Sequence, residues 1–103
     1  DDEAQIDELY RASRKGEGVW THTLEAPSAK SAQAISESIQ GSGWIISLEQ
    51  PRTPNGAWEI TAQRSVRPLP RQAFEMLVRN VRRTFEMASA THGGQYLGWR
   101  FQN

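Results

Sequence analysis

Between residues 74 and 88 apolar side chains recur at steps of three and four. Phe74, Leu77, Val78, Val81, Phe85 and Ala88 share one side of a helical wheel, while Arg71, Glu75, Arg79, Arg82, Arg83 and Glu86 fall elsewhere on it. The spacing predicts a helix over about 70–92, with Pro70 in its first turn and Gly93-Gly94 as its stop. A shorter apolar stripe, Ala32, Ile35 and Ile39, follows Pro27-Ser28 and precedes Gly41 and Gly43. It predicts a second helix with Ser28 as N-cap. At the start of the chain, acids (Asp1, Asp2, Glu3, Asp7, Glu8) give way to bases (Arg11, Arg14, Lys15), and Ile6, Leu9 and Tyr10 sit at helical spacing. That charge order suits the helix macrodipole. It predicts a short, loosely attached N-terminal helix ending at Gly16 and Gly18.

Elsewhere the pattern shortens to the period of two that marks strands. Val19 to Ala26 is rich in Trp, Thr and Val. Trp44 to Glu49 alternates Trp44, Ile46 and Leu48 with Ile45, Ser47 and Glu49. Gln50 to Gly56, with two prolines and Asn55-Gly56, reads as the turn of a hairpin whose second strand is Ala57 to Val66. Tyr96 to Phe101 is the last strand, after the long helix. The expected fold is therefore α+β: a ferredoxin-like β-α-β-β-α-β unit with an extra N-terminal helix, its four-stranded sheet carrying two helices on one face. Residues 1–18 would form the N-terminal helix and linker, and 19–103 the single domain. Two helical crossovers allow two parallel strand pairs around the hairpin. Phe74, Leu77, Val78, Val81 and Phe85 are the expected core, with Ile35, Ile39, Ile46 and Ile60.

A chain of 103 residues fits one domain. No cysteine is present, which removes disulfides, thiolate nucleophiles and cysteine-based zinc sites. No apolar run approaches the roughly 18–20 residues of a membrane span, and no signal peptide is visible, so a cytoplasmic protein without membrane contact is expected. The formal net charge is zero but unevenly placed. Residues 1–59 hold ten acids against five Lys/Arg, and residues 60–103 hold two acids against seven Arg. A basic strip facing an anionic partner competes with two ordinary solvated faces.

Little in the chain points to catalysis. His22 and His92 are the only histidines, the first in a strand, the second beside two glycines at a helix end. They read as a half-exposed strand residue and a helix C-terminal cation. Glu25, Glu49 and Glu59 are best explained as solvent-facing strand positions, with Glu49 and Glu59 close across the hairpin. Gly41-Ser42-Gly43 is too short for a phosphate cradle and reads as a turn. No metal-ligand spacing, cofactor motif or catalytic residue is expected.

Two segments remain as candidate partner-binding surfaces. In the last strand Leu97, Trp99 and Phe101 alternate with Tyr96, Gly98 and Arg100. If Gly98 permits close helix approach, Tyr96 and Gly98 point inward, and Leu97 and Trp99 point outward as a binding surface. The opposing view has Ile6, Leu9 and Tyr10 cover that surface. The second candidate is the arginine strip Arg79, Arg82 and Arg83, where Arg79 and Arg83 share a helix face. It could meet phosphates or a carboxylate-rich partner, unless local pairs with Glu75 and Glu86 account for it.

The run His92-Gly93-Gly94-Gln95-Tyr96-Leu97-Gly98-Trp99 resembles the signature near the end of the RraB family, protein regulators of ribonuclease E activity. Gly94, Tyr96, Gly98 and Trp99 match that family's glycine followed by Tyr-Asp-Gly-Trp; Leu97 stands in place of its Asp. The order of elements is similar along nearly the whole chain. The resemblance implies a ferredoxin-like domain that binds a protein partner, a ribonuclease, and damps its activity without catalysis. A toxin-immunity protein is a close variant. A nucleic-acid-binding ferredoxin-like domain is the alternative from another class, against which stand the zero net charge and the lack of an RNP-type motif.

Overall fold

The structure, a computed structural model, describes residues 2–41 and 43–103, with Asp2 as backbone alone. The expectations for Asp1, the Asp2 side chain and the turn position Ser42 lie outside the described residues. The elements run α1 (Asp2–Ser13), β1 (Gly18–Ala26), α2 (Ala29–Ile39), β2 (Ile45–Glu49), β3 (Trp58–Val66), α3 (Arg71–Thr91) and β4 (Gln95–Gln102). The fold is α+β, three helices with a four-stranded sheet of order β2-β3-β1-β4.

All three neighbouring strand pairs are antiparallel, which corrects the expectation of parallel pairs. Each helical crossover does return the chain in its original direction. The crossover skips one position, however, so β3 lies between β1 and β2, and β1 lies between β3 and β4.

Local chemistry sets the helix ends. The Ser28 hydroxyl accepts the Ser31 N–H at 3.1 Å and caps α2. At the end of α3, Gly93 takes φ +74° and the Gly94 N–H donates to Ser89 O at 2.7 Å, satisfying a terminal carbonyl. A side chain at Gly94 would collide with Glu25 O and Ile35 Cδ1, so this glycine lets β4 enter the sheet beside α2.

The core lies between the sheet and the helices. Leu24, Ala26, Ile60 and Ala62 pack with Ala32, Ile35 and Ile39 of α2 and with Phe85 and Ala88 of α3. Trp20 and Val66 pack with Phe74 and Val78 of α3 and with Ile6 and Leu9 of α1. Leu77, Val81 and Ile46, expected in the core, are only half-buried. The sheet that should cover them is narrow there, because β2 has five residues against nine in β3.

The N-terminal helix is not loosely attached. Ile6 and Leu9 are fully buried. The Tyr10 ring meets Phe74 edge-on, with centroids 6.2 Å apart. Arg71 forms an ion pair with Asp7, and the Asn103 amide donates to Ala12 O and Gly16 O. Fully burying two large aliphatic side chains is worth roughly 3–6 kcal/mol, which holds α1 in place.

Candidate functional site

The last strand differs from its expected alternation. β4 pairs with β1 through Trp20↔Phe101, His22↔Trp99 and Thr23↔Gly98, but then Leu24 faces Tyr96. Leu97 is the extra residue of a β-bulge. Gly98 beside it takes φ +126°, and a Cβ there would meet nothing within 4 Å. Its role is therefore the bulge conformation, not close helix approach. The bulge resets the side-chain parity, so Tyr96, Trp99 and Phe101 all face the helices. Trp99 does not point outward, as the alternation implied. It packs edge-on against Trp20 at 5.8 Å, and its indole N–H donates to Gln5 of α1 at 3.3 Å. Leu97 alone stays outside, half exposed.

Cross-strand partners share a face, so the register also assigns the uncovered side of the sheet. Trp20, Trp58, Tyr96, Trp99 and Phe101 lie on the helix side. The uncovered side carries Thr21, Thr23, Thr61, Gln63 and Ser47, with Arg100 near one end and a row of carboxylates at the other. In that row Glu59 stands directly opposite both Glu25 and Glu49. Among the described residues that side holds no aromatic platform on which bases could stack.

Beneath the sheet lies an aromatic cluster that sequence reasoning missed. His22 is buried, with ring centroids 4.3 Å from Trp20, 4.8 Å from Phe85 and 5.1 Å from Trp44. Burial, with a smaller contribution from the Arg64 charge, pushes its pKa down to about 3, so the imidazole is neutral near pH 7. Burial likewise pushes the Tyr96 phenol up. The signal was in the sequence: His22 has the strand parity of Trp20, Leu24 and Ala26. His92 caps α3; its carbonyl accepts the Ser31 hydroxyl, and its Nε2 lies 3.2 Å from Ser38 Oγ. Among the described residues no three His, Cys, Asp or Glu side chains converge on a metal position. No helix among them is long and apolar enough to cross a membrane.

The arginines of α3 do form a surface, divided in two. Arg82 is half-buried on the flank toward β4, with its Nε 3.6 Å from Glu86. Arg79 and Arg83 are exposed on the outer face. At 100° per residue, Met76, Arg83 and Met87 fall within one narrow stripe, and Arg79 borders it. Both methionines are largely exposed, at 67% and 63%. Arg79, Arg83 and Met87 line a shallow hollow of about 320 Å³ together with the Arg82–Glu86 pair. The outer face thus combines two adaptable thioether chains with two guanidinium forks. The core stripe of α3 gives no sign of the two methionines, which lie on the opposite face of the helix.

Protein-family models, curated proteins and solved structures contain no match to this chain.

Proposed function

We propose that the chain is a non-catalytic regulatory domain of ferredoxin-like build that binds an acidic segment of a protein partner through the outer face of α3. The strand order β2-β3-β1-β4, with the α2 and α3 crossovers packed on the sheet, supports the ferredoxin-like reading. The observation that carries the binding reading is the stripe of exposed Met76 and Met87 bracketing Arg79 and Arg83. Exposed methionines offer apolar contact to a partner surface, and the arginines take carboxylates in bidentate geometry. The neutral, buried imidazole of His22 leaves it unsuited to proton transfer near pH 7, which favours binding over catalysis.

The last-strand resemblance makes ribonuclease E the first partner to test. The experiment is titration of the chain into purified ribonuclease E by calorimetry, followed with Arg79→Glu/Arg83→Glu. Binding that weakens at least about tenfold in the double variant, with reduced RNA cleavage by the enzyme when the original chain is bound, supports the reading. Affinity capture from cell extract, with and without ribonuclease treatment, broadens the search. Retention of RNA alone, lost on that treatment, would replace a protein partner with nucleic acid.

A further inference from the structure

Sulfur occurs at two positions in this chain, Met76 and Met87, and no cysteine accompanies them. Neither methionine belongs to the core, whose clusters are built from aliphatic and aromatic side chains. Both stand on the outer face of α3, 67% and 63% exposed. Oxidation of a thioether needs access to its sulfur. Every sulfur of this protein gives that access while the fold is intact.

Each methionine also lies within about one helical turn of an outward guanidinium. Met76 is three residues before Arg79, and Met87 is four after Arg83. At these spacings side chains on a helix surface are neighbours. Long helical side chains lean toward the preceding turn, which directs Met87 toward Arg83 and Arg79 toward Met76. Arg79, Arg83 and Met87 line the same hollow on this face. A thioether sulfur is a weak acceptor and leaves a guanidinium N–H to a partner's carboxylate. A sulfoxide oxygen is polar and accepts that N–H itself.

We propose that Met76 and Met87 form a reversible oxidation site on the folded chain, and that their sulfoxides switch off the α3 docking face by making its apolar contacts polar and engaging Arg79 and Arg83. The proposal rests on the reading of that face given above and adds its regulation. The oxidant is a hydroperoxide. A sulfur lone pair attacks one peroxide oxygen, and the S–O bond forms as the O–O bond breaks. With hydrogen peroxide, the proton on the transferred oxygen passes to the departing hydroxide, and water leaves. Sulfur loses two electrons and the peroxide gains them. The return step uses the dithiol of a methionine sulfoxide reductase, which becomes a disulfide as the oxygen departs in water. A flexible apolar side chain is thereby made polar and restored, on a face that has to bury it against a partner. The core contains no sulfur and takes no part.

The experiment treats the full isotopically labelled chain with hydrogen peroxide and follows it by mass spectrometry, urea melts and arginine Nε–H shifts. Each methionine should gain one oxygen at close to the rate of free methionine, with the denaturation midpoint unmoved. The Arg79 and Arg83 Nε–H resonances should shift on oxidation and return after treatment with the reductase and dithiothreitol. In titration into ribonuclease E the oxidised chain should bind at least about tenfold more weakly, and reduction should restore its affinity. Met76→Leu/Met87→Leu, whatever its own affinity, should lose none of it to peroxide. Slow oxygen uptake at either sulfur, unfolding on oxidation, unmoved arginine resonances or equal affinity of the oxidised chain would each overturn the proposal. If the untreated chain does not bind ribonuclease E, that partner falls, and the oxygen uptake and arginine resonances still decide for or against the oxidation site.

Discussion

The Tyr96 hydroxyl lies 2.8 Å from Nδ1 of His22, joining the innermost polar side chain of β1 to the strand beside it. Around this bond the imidazole packs against the rings of Trp20, Trp44 and Phe85, with the Arg64 charge near enough to be felt. A protonated ring would have to hold its charge there, and that requirement makes the fold sensitive to pH.

The sign follows from linkage. The folded pKa of His22 is about 3 against 6.5 for the free side chain, so between these values the unfolded chain binds the proton more readily. The contribution of His22 to stability is complete above pH 6.5 and is lost as pH falls toward 3. The slope approaches about 1.4 kcal/mol per pH unit below the unfolded pKa, so about 1.6 kcal/mol should vanish between pH 6.5 and 5. Urea melts at the two pH values measure it. His22→Phe, whatever its cost at neutral pH, should show a clearly smaller difference between them. An unchanged difference would place the pH sensitivity elsewhere.

Trp99→Ala should destabilise the fold by about 3 kcal/mol, since the ring packs on Trp20 and bonds α1 through Gln5. Leu97→Ala, on the bulge, should move the denaturation midpoint by less than about 0.5 kcal/mol equivalent. The reverse order of effects would restore Trp99 as a surface anchor.

The long helix and its neighbours were legible because their signals are local. The α3 stripe, the Ser28 cap and the glycine stops act within a few residues, and each element lies within one or two positions of its expected place. The misreadings concern long-range register and packing. Strict alternation fails across β4, because Tyr96, Trp99 and Phe101 can share a face only if one residue is extra, and Gly98 is its marker. The docking of α1 depends on the space beside Phe74 and Val78, which a helix carrying few apolar residues does not announce. Half-burial of Leu77 and Val81 follows from where β2 stops, a property of strand pairing that the α3 pattern does not contain. The arginine strip is visible in the sequence, but its separation into paired Arg82 and outward Arg79 and Arg83 depends on the helix orientation.

Glu59 faces Glu25 on one side and Glu49 on the other across the uncovered side of the sheet. Directly opposed like charges destabilise a sheet by a few tenths of a kcal/mol per pair at exposed positions. Glu59→Lys should convert both repulsions into attractions and raise stability by about 0.5–1 kcal/mol at low salt. The gain should shrink as salt is added. A neutral or negative effect at low salt would mean the carboxylates avoid one another by rotamer choice.

Deleting Leu97 provides a direct test of the bulge. With that residue gone, Tyr96 is followed by Gly98 and then Trp99, so plain alternation places Tyr96 inward, Gly98 outward, and Trp99 and Phe101 inward. Every aromatic contact of β4 can then persist without a residue at φ +126°. The deletion variant should fold with its tertiary near-ultraviolet signal intact and a stability change below about 1 kcal/mol. Gly98→Thr separates the two backbones. In the original chain it forces a β-branched side chain into a glycine conformation and should cost about 1–3 kcal/mol. In the deletion background it occupies an ordinary strand position opposite Thr23 and should be neutral or stabilising, because threonine favours strands and glycine does not. The two substitutions must therefore be strongly non-additive, by about 1 kcal/mol or more in a double-mutant cycle. Additive effects would mean that β4 retains its positive-φ glycine after the deletion, and that Leu97 is not the residue that sets the parity of the strand.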